Sequence, residues 1–225
     1  MIEKKSPLFF FIITLIFSSC GIDNIVYLEP PKLIHSPSGH SDESQMYFEF
    51  ETSDKENLDN ALGFFKGFEV YYRIYESESE CKNLIENMIN YNTSNPSNSV
   101  NYLLSSYNFK LLTHQGHSYN DRPLVPALPA APPNHQLVEF RLEPAVSYSD
   151  DFRIDGTVKG KVLRQTGEKF TSAKQGDYDV QSSSNPSPDS FYVAVFAAAY
   201  GFDNSFKTTY SAILSLGYVK IKKNP

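Results

Sequence analysis

Alternation of apolar and polar residues is the strongest regular signal along the chain. In Phe68-Glu69-Val70-Tyr71-Tyr72-Arg73-Ile74-Tyr75, the residues Phe68, Val70, Tyr72 and Ile74 share one face and Glu69, Tyr71, Arg73 and Tyr75 the other. Such a period of two predicts a strand with a core-facing side. Met46–Glu51 alternates in the same way from residue 48. From Ser77 the period changes: Cys81, Leu84, Ile85, Met88 and Ile89 fall at i, i+3, i+4, i+7 and i+8. That spacing draws one apolar stripe on a helix that starts near Ser79 and stops before the turn-rich Asn92-Thr93-Ser94-Asn95-Pro96. A second short helix is predicted over residues 99–105, with Val100, Leu103 and Leu104 inward. Strand-like segments resume at 108–113, 136–142, 152–163, 191–200 and 210–221, whereas 54–63 reads as a polar excursion. The stretch 124–133 is proline-rich and extended, and 181–190 is a Ser/Asn/Pro turn cluster. No internal repeat occurs at a fixed period.

The amino terminus has a different pattern. Lys4 and Lys5 precede the ten-residue apolar run Leu8–Phe17, and the small residues Ser18 and Ser19 precede Cys20. This is the layout of a cleaved secretory signal over residues 1–19. A membrane-spanning helix needs about twenty apolar residues, twice what the run supplies. The Ser-Ser-Cys junction resembles the lipobox of bacterial lipoproteins, and Phe17, where Leu is usual, resembles the relaxed lipoboxes of spirochaetal lipoproteins. The resemblance implies that Cys20 is the first residue of the mature protein, S-diacylglycerylated and N-palmitoylated. Three acyl chains at about 0.8 kcal/mol per buried methylene make a permanent anchor. It also implies a cell-envelope location, with the outer membrane favoured because Gly21, not Asp, follows the cysteine.

Residues 21–41 contain Pro30-Pro31, Pro37 and Gly39, which suits a tether leading into an irregular edge strand. The run Phe65–Tyr75 resembles the third strand of fibronectin type III and related immunoglobulin-like sandwiches. Phe191–Tyr200 followed by Tyr210–Ile221 resembles the closing hairpin of the same fold. The expected fold is therefore mainly β: an antiparallel β-sandwich of fibronectin type III-like type with a short helical insertion at about 77–106. It is expected as a single domain over 41–225 behind a lipidated tether at 20–40. The second strand lacks the tryptophan of that family, since the chain has none.

Composition narrows the functional classes. With 20 Lys+Arg against 26 Asp+Glu, the net charge of −6 lacks the clustered cations that phosphate contacts require, so nucleic acid is not an expected partner. Only Cys20 and Cys81 are present, and acylation of Cys20 leaves no disulfide, so the core relies on 17 Phe and 15 Tyr. Cys81 is expected as a small buried residue on the helix. His114-Gln115-Gly116-His117 has HxxH spacing without further converging ligands, and Asp150-Asp151 sits in a turn context as a solvated pair. The G-x-S-x-G, H-E-x-x-H, G-x-x-x-x-G-K-[ST] and G-x-G-x-x-G motifs are absent.

No cofactor and no catalytic residue is expected. Tyr71 and Tyr75, on the strand face away from the inferred core, are either covered by the inserted helices or exposed as a binding surface. The first functional expectation is a membrane-anchored lipoprotein that binds another envelope or host macromolecule or serves as a structural protein of the cell envelope. The second is a small-ligand or lipid-binding lipoprotein with a pocket between the helical insertion and the sheet, and an enzyme comes third.

Overall fold

The computed structural model describes residues 26–61, 63–128 and 135–223. The signal segment, Cys20 and the end of the proline-rich run lie outside the described residues. Two sheets dominate. One is six-stranded, in the order β1 (Lys32–His35), β2 (Phe48–Glu51), β7 (Leu137–Phe140), β8 (Asp151–Ile154), β9 (Thr157–Leu163), β5 (Thr113–His114). The other is built on the long pair β3 (Phe65–Tyr75) and β11 (Ser190–Phe202), antiparallel from Phe65 opposite Gly201 to Tyr75 opposite Tyr192. The far edge of β11 carries β13 (Leu214–Lys222) and β12 (Thr208–Tyr210). The far edge of β3 is shared by three short strands: β6 (Val125–Pro126), β4 (Lys110–Leu111) and the parallel β10 (Val180–Gln181). Gly67 of β3, at φ +142°, permits the β6 contact, since a Cβ there would lie 2.1 Å from the Val125 carbonyl oxygen.

The alternation of β3 separates two cores. Phe68, Val70, Tyr72 and Ile74 face the first sheet and join Phe48, Phe50, Val138, Phe140 and Phe152 in the space between the sheets. The opposite face is covered by the helices α2 (Glu78–Ser94) and α3 (Ser99–Ser106), so that Cys81, Leu84, Ile85, Met88, Val100 and Leu103 pack on Tyr71, Tyr75, Ala194, Phe196 and Ala198. Small alanines on β11 let the helices approach closely, while the β3 tyrosines fill the remaining depth. The molecule is thus a β-sandwich with a helical third layer. Ile89, expected within the buried stripe, is 47% exposed; the stripe ends one residue earlier, at Met88.

Other departures have local causes. Residues 54–61 form a helix, α1 (Asp54–Ala61), not a polar excursion. Its polar residues are buried because they bind the chain around them: Asn57 Nδ2 donates to the Glu29 carbonyl, and Asp54 Oδ1 accepts from Leu128 N at 3.0 Å. The α2 helix continues through Asn92-Thr93-Ser94, where the Asn92 side chain accepts from Ile213 N and donates to Ile213 O. Residues 152–163 are two strands, β8 and β9, joined at Asp155-Gly156 with φ 49° and 72°. Positive φ at both positions is the requirement of a type I′ hairpin turn. Residues 108–113 divide as well, because β4 pairs with β3 in one sheet and β5 with β9 in the other.

Candidate functional site

The residues singled out by sequence are mostly structural. Tyr71 is 0% and Tyr75 5% exposed, so of the two alternatives for these rings the structure has cover, not an exposed binding surface: the apolar stripe of α2 needed that surface and rests on it. The Tyr71 hydroxyl donates to Glu69 Oε2, inside the outer core. Cys81 is fully buried, and burial raises its thiol pKa well above the ordinary range. The His114 ring stacks on Phe152 at 5.2 Å, and no trio of His, Cys, Asp or Glu among the described residues is placed to hold a metal. Asp150 and Asp151 are ion-paired rather than simply solvated, both meeting Lys161, at 3.0 and 2.7 Å.

Four arginines, three of them buried, are what sequence reasoning did not single out. Arg164, with a fully buried side chain, lies against Asp179 and Asp177 and reaches Glu168. Arg122 is held by Glu69 and donates to the Tyr210 hydroxyl at 3.0 Å. In both, burial disfavours the charge, but hydrogen bonds to carboxylates outweigh it and hold the pKa above its ordinary value. Arg141 donates both terminal nitrogens to the carbonyls of Glu43 and Ser44 and lies 5.1 and 4.3 Å from the ring centroids of Tyr47 and Tyr148.

Arg73 is different. It is 5% exposed and has no carboxylate within ion-pair distance among the described residues. Nη1 donates to the carbonyls of Asn108 (3.2 Å) and Tyr178 (2.8 Å), and Nη2 to Gln181 Oε1 at 3.4 Å. Nε is buried and has no hydrogen-bond partner among the described residues. Burial therefore lowers the pKa of this guanidinium, the opposite of Arg122 and Arg164.

Arg73 lines a cleft of about 500 Å³ between the helical layer and the edge of the second sheet. The β3 strand supplies Arg73 and Tyr75 as neighbours on its outer face. One side of α2 supplies Glu80, Asn83, Leu84 and Asn87, at i, i+3, i+4 and i+7, a spacing that aligns them along one helical stripe. Ser106, Tyr107 and Asn108 come from the end of α3, and Gln181 from β10. Asn108 adopts φ 54°, a left-handed conformation that asparagine tolerates better than most residues. Glu80 Oε1 accepts from Ser183 Oγ at 2.7 Å. Asn83 and Asn87 are exposed. The result is a buried cation in a cleft bordered chiefly by amides and hydroxyls. The cavity has the volume of a small-molecule site, with a lining more polar than the mostly apolar one usual for such sites.

Comparison of the chain with protein-family models, with curated proteins and with solved structures gives no match.

Proposed function

We propose that this protein is a lipoprotein of the bacterial cell envelope, anchored through acylated Cys20, that binds a small polar ligand in the cleft at Arg73. The anchor rests on the Ser-Ser-Cys junction behind a short apolar run. Outer-membrane placement follows from Gly21 on the same resemblance. A fibronectin type III-like arrangement is supported by the adjacency of β3, β11 and β13, and of β1, β2 and β7.

Macromolecule binding, the first expectation from sequence, rested on the sandwich fold, the acidic charge and the absence of catalytic motifs, and the exposed aromatic patch that Tyr71 and Tyr75 could have added to it is covered by the helices. The small-ligand reading, with its pocket between the helical insertion and the sheet, is favoured by one observation: a cleft of about 500 Å³ in that position with a buried, carboxylate-free arginine on its wall. The cleft is more polar than a lipid site, which points to a polar ligand.

Two experiments test the two halves of the proposal. Cys20→Ser should abolish palmitate labelling and release the protein from membranes, and continued labelling would refute the anchor. Asn87→Trp places an indole in the cleft from an exposed helix position. Thermal stabilisation by whichever polar compound raises the melting temperature of the wild-type protein should disappear in this variant, and full retention would remove the cleft as the site.

A further inference from the structure

Resting on that reading, we infer that the ligand is an acidic sugar, a uronic-acid-type polyol whose carboxylate pairs side-on with the Nε–Nη2 edge of Arg73. A guanidinium has five N–H donors in a fixed plane. The Nη1 end is engaged by the carbonyls of Asn108 and Tyr178, which fixes the orientation of that plane. The opposite edge is unpaired but covered: Nε is buried with no partner among the described residues, so a ligand reaches it only when Gln181 moves aside, and Nη2 has only the 3.4 Å contact to Gln181, the longest of the three. This is the edge that presents two parallel N–H groups to a carboxylate, the geometry in which arginine excels over lysine. Gln181 is an exposed side chain whose other hydrogen bond, to its neighbour Ser182, is 3.3 Å long. A carboxylate displaces this amide from Arg73 at little cost.

Charge and shape support the same ligand. A buried cation without a counter-ion is unfavourable, and an anionic ligand supplies the missing partner. Lys110 adds to the positive potential: its ammonium lies 4.9 Å over the Tyr178 ring, and burial together with repulsion from Arg73 lowers its pKa. Asp179, the nearest carboxylate affecting Arg73, is committed to Arg164 and to the Tyr72 hydroxyl. The remaining wall is chiefly neutral, with Asn83, Asn87, Asn108 and Ser106 offering donors and acceptors suited to hydroxyl groups. Glu80, the one carboxylate on the cleft, accepts hydrogen bonds and therefore favours hydroxyls, not a second acid, at its end. Tyr107, half-buried and set edge-on to Tyr102 at 5.4 Å, offers a ring for the apolar face of a sugar.

The test is calorimetric titration of the full-length protein in mild detergent with sodium glucuronate, glucose and the methyl ester of glucuronic acid. Glucuronate should bind at least tenfold more tightly than glucose or the ester. Arg73→Gln should abolish that preference, and Asn87→Ala, at an exposed position where folding is safe, should weaken glucuronate severalfold. Equal binding of glucose and glucuronate, weakened by Asn87→Ala, would overturn the acidic-sugar inference while leaving the cleft as a binding site. Absence of binding by all three sugars, or glucuronate binding that neither variant alters, would overturn the inference as well. The cleft itself then stands or falls by the Asn87→Trp experiment.

Discussion

Two buried arginines on opposite sides of the second sheet show how differently one side chain is used. Arg164 sits on the sandwich side, where Asp179 also accepts the Tyr72 hydroxyl at 2.6 Å and Tyr72 in turn accepts from Gln165 N at 2.9 Å. Every charge in that network has a counter-charge from the protein itself. Arg73, one residue from Tyr72 and therefore on the opposite strand face, is held by backbone carbonyls and one weak amide contact. A closed network belongs to folding, since each of the three guanidinium nitrogens is already held by a carboxylate. An incomplete one beside a cleft belongs to recognition, since the missing partner can be a ligand.

The comparison predicts unequal costs. Arg164→Ala should lose about 3–5 kcal/mol by urea melting, because it strands the buried carboxylate of Asp179. Hydrogen bonds from Lys174 N and Arg164 outweigh burial and hold the Asp177 carboxyl below its ordinary 3.8. A depressed carboxyl contributes stability that is present above the ordinary value and is lost as pH falls through the folded-state value. The wild type should therefore weaken in acid below about pH 4, with a smaller slope in Arg164→Ala.

The helical layer has its own contrast. Leu84→Ala, under the helix, should cost about 2–5 kcal/mol, and Arg73→Met, which strands no carboxylate and relieves a buried charge, less than about 1.5 kcal/mol. Ile89→Ala, on the exposed side of the same helix, should stay within about 0.5 kcal/mol. A loss at Arg73 as large as that at Arg164 would make both arginines structural and end the distinction.

The layered architecture was largely legible in the sequence. Alternation at 68–75 is preserved because the two faces of β3 meet two different apolar layers, and the stripe from Cys81 to Met88 required a surface that Tyr71 and Tyr75 provide. Helix α1 was obscured because its burial is polar: Asp54 and Asn57 are inside while Leu58 is only half-buried. A signal for it exists in Ser53-x-x-Glu56, the spacing of a capping box, although Ser53 Oγ instead donates to the carbonyls of Glu29 and Pro30. Asp155-Gly156 is likewise a hairpin signal inside an otherwise strand-like run.

The cleft was legible only as a position, between the insertion and the sheet. Its wall is assembled from residues 73–75, 80–87, 106–108 and 181, which become neighbours through the α3 turn and the two-residue parallel pairing of β10 with β3. Neither feature leaves a periodic trace. Arg73 reads in sequence as one polar position in an alternating strand, and nothing in that pattern tells that it lacks the carboxylate partners of Arg164 and leaves Nε unpaired among the described residues.

The central claim is that the cleft at Arg73 takes a ligand, and side-chain amide resonances report on it directly. In a nitrogen-15 titration of the full-length protein with glucuronate, the amide signals of Asn83, Asn87, Asn108 and Gln181 should shift together along one saturating curve, and the Arg73 Nε–H signal should move downfield as it gains an acceptor. Unchanged cleft amides at saturating glucuronate, or shifts confined to residues outside the cleft, would contradict the account.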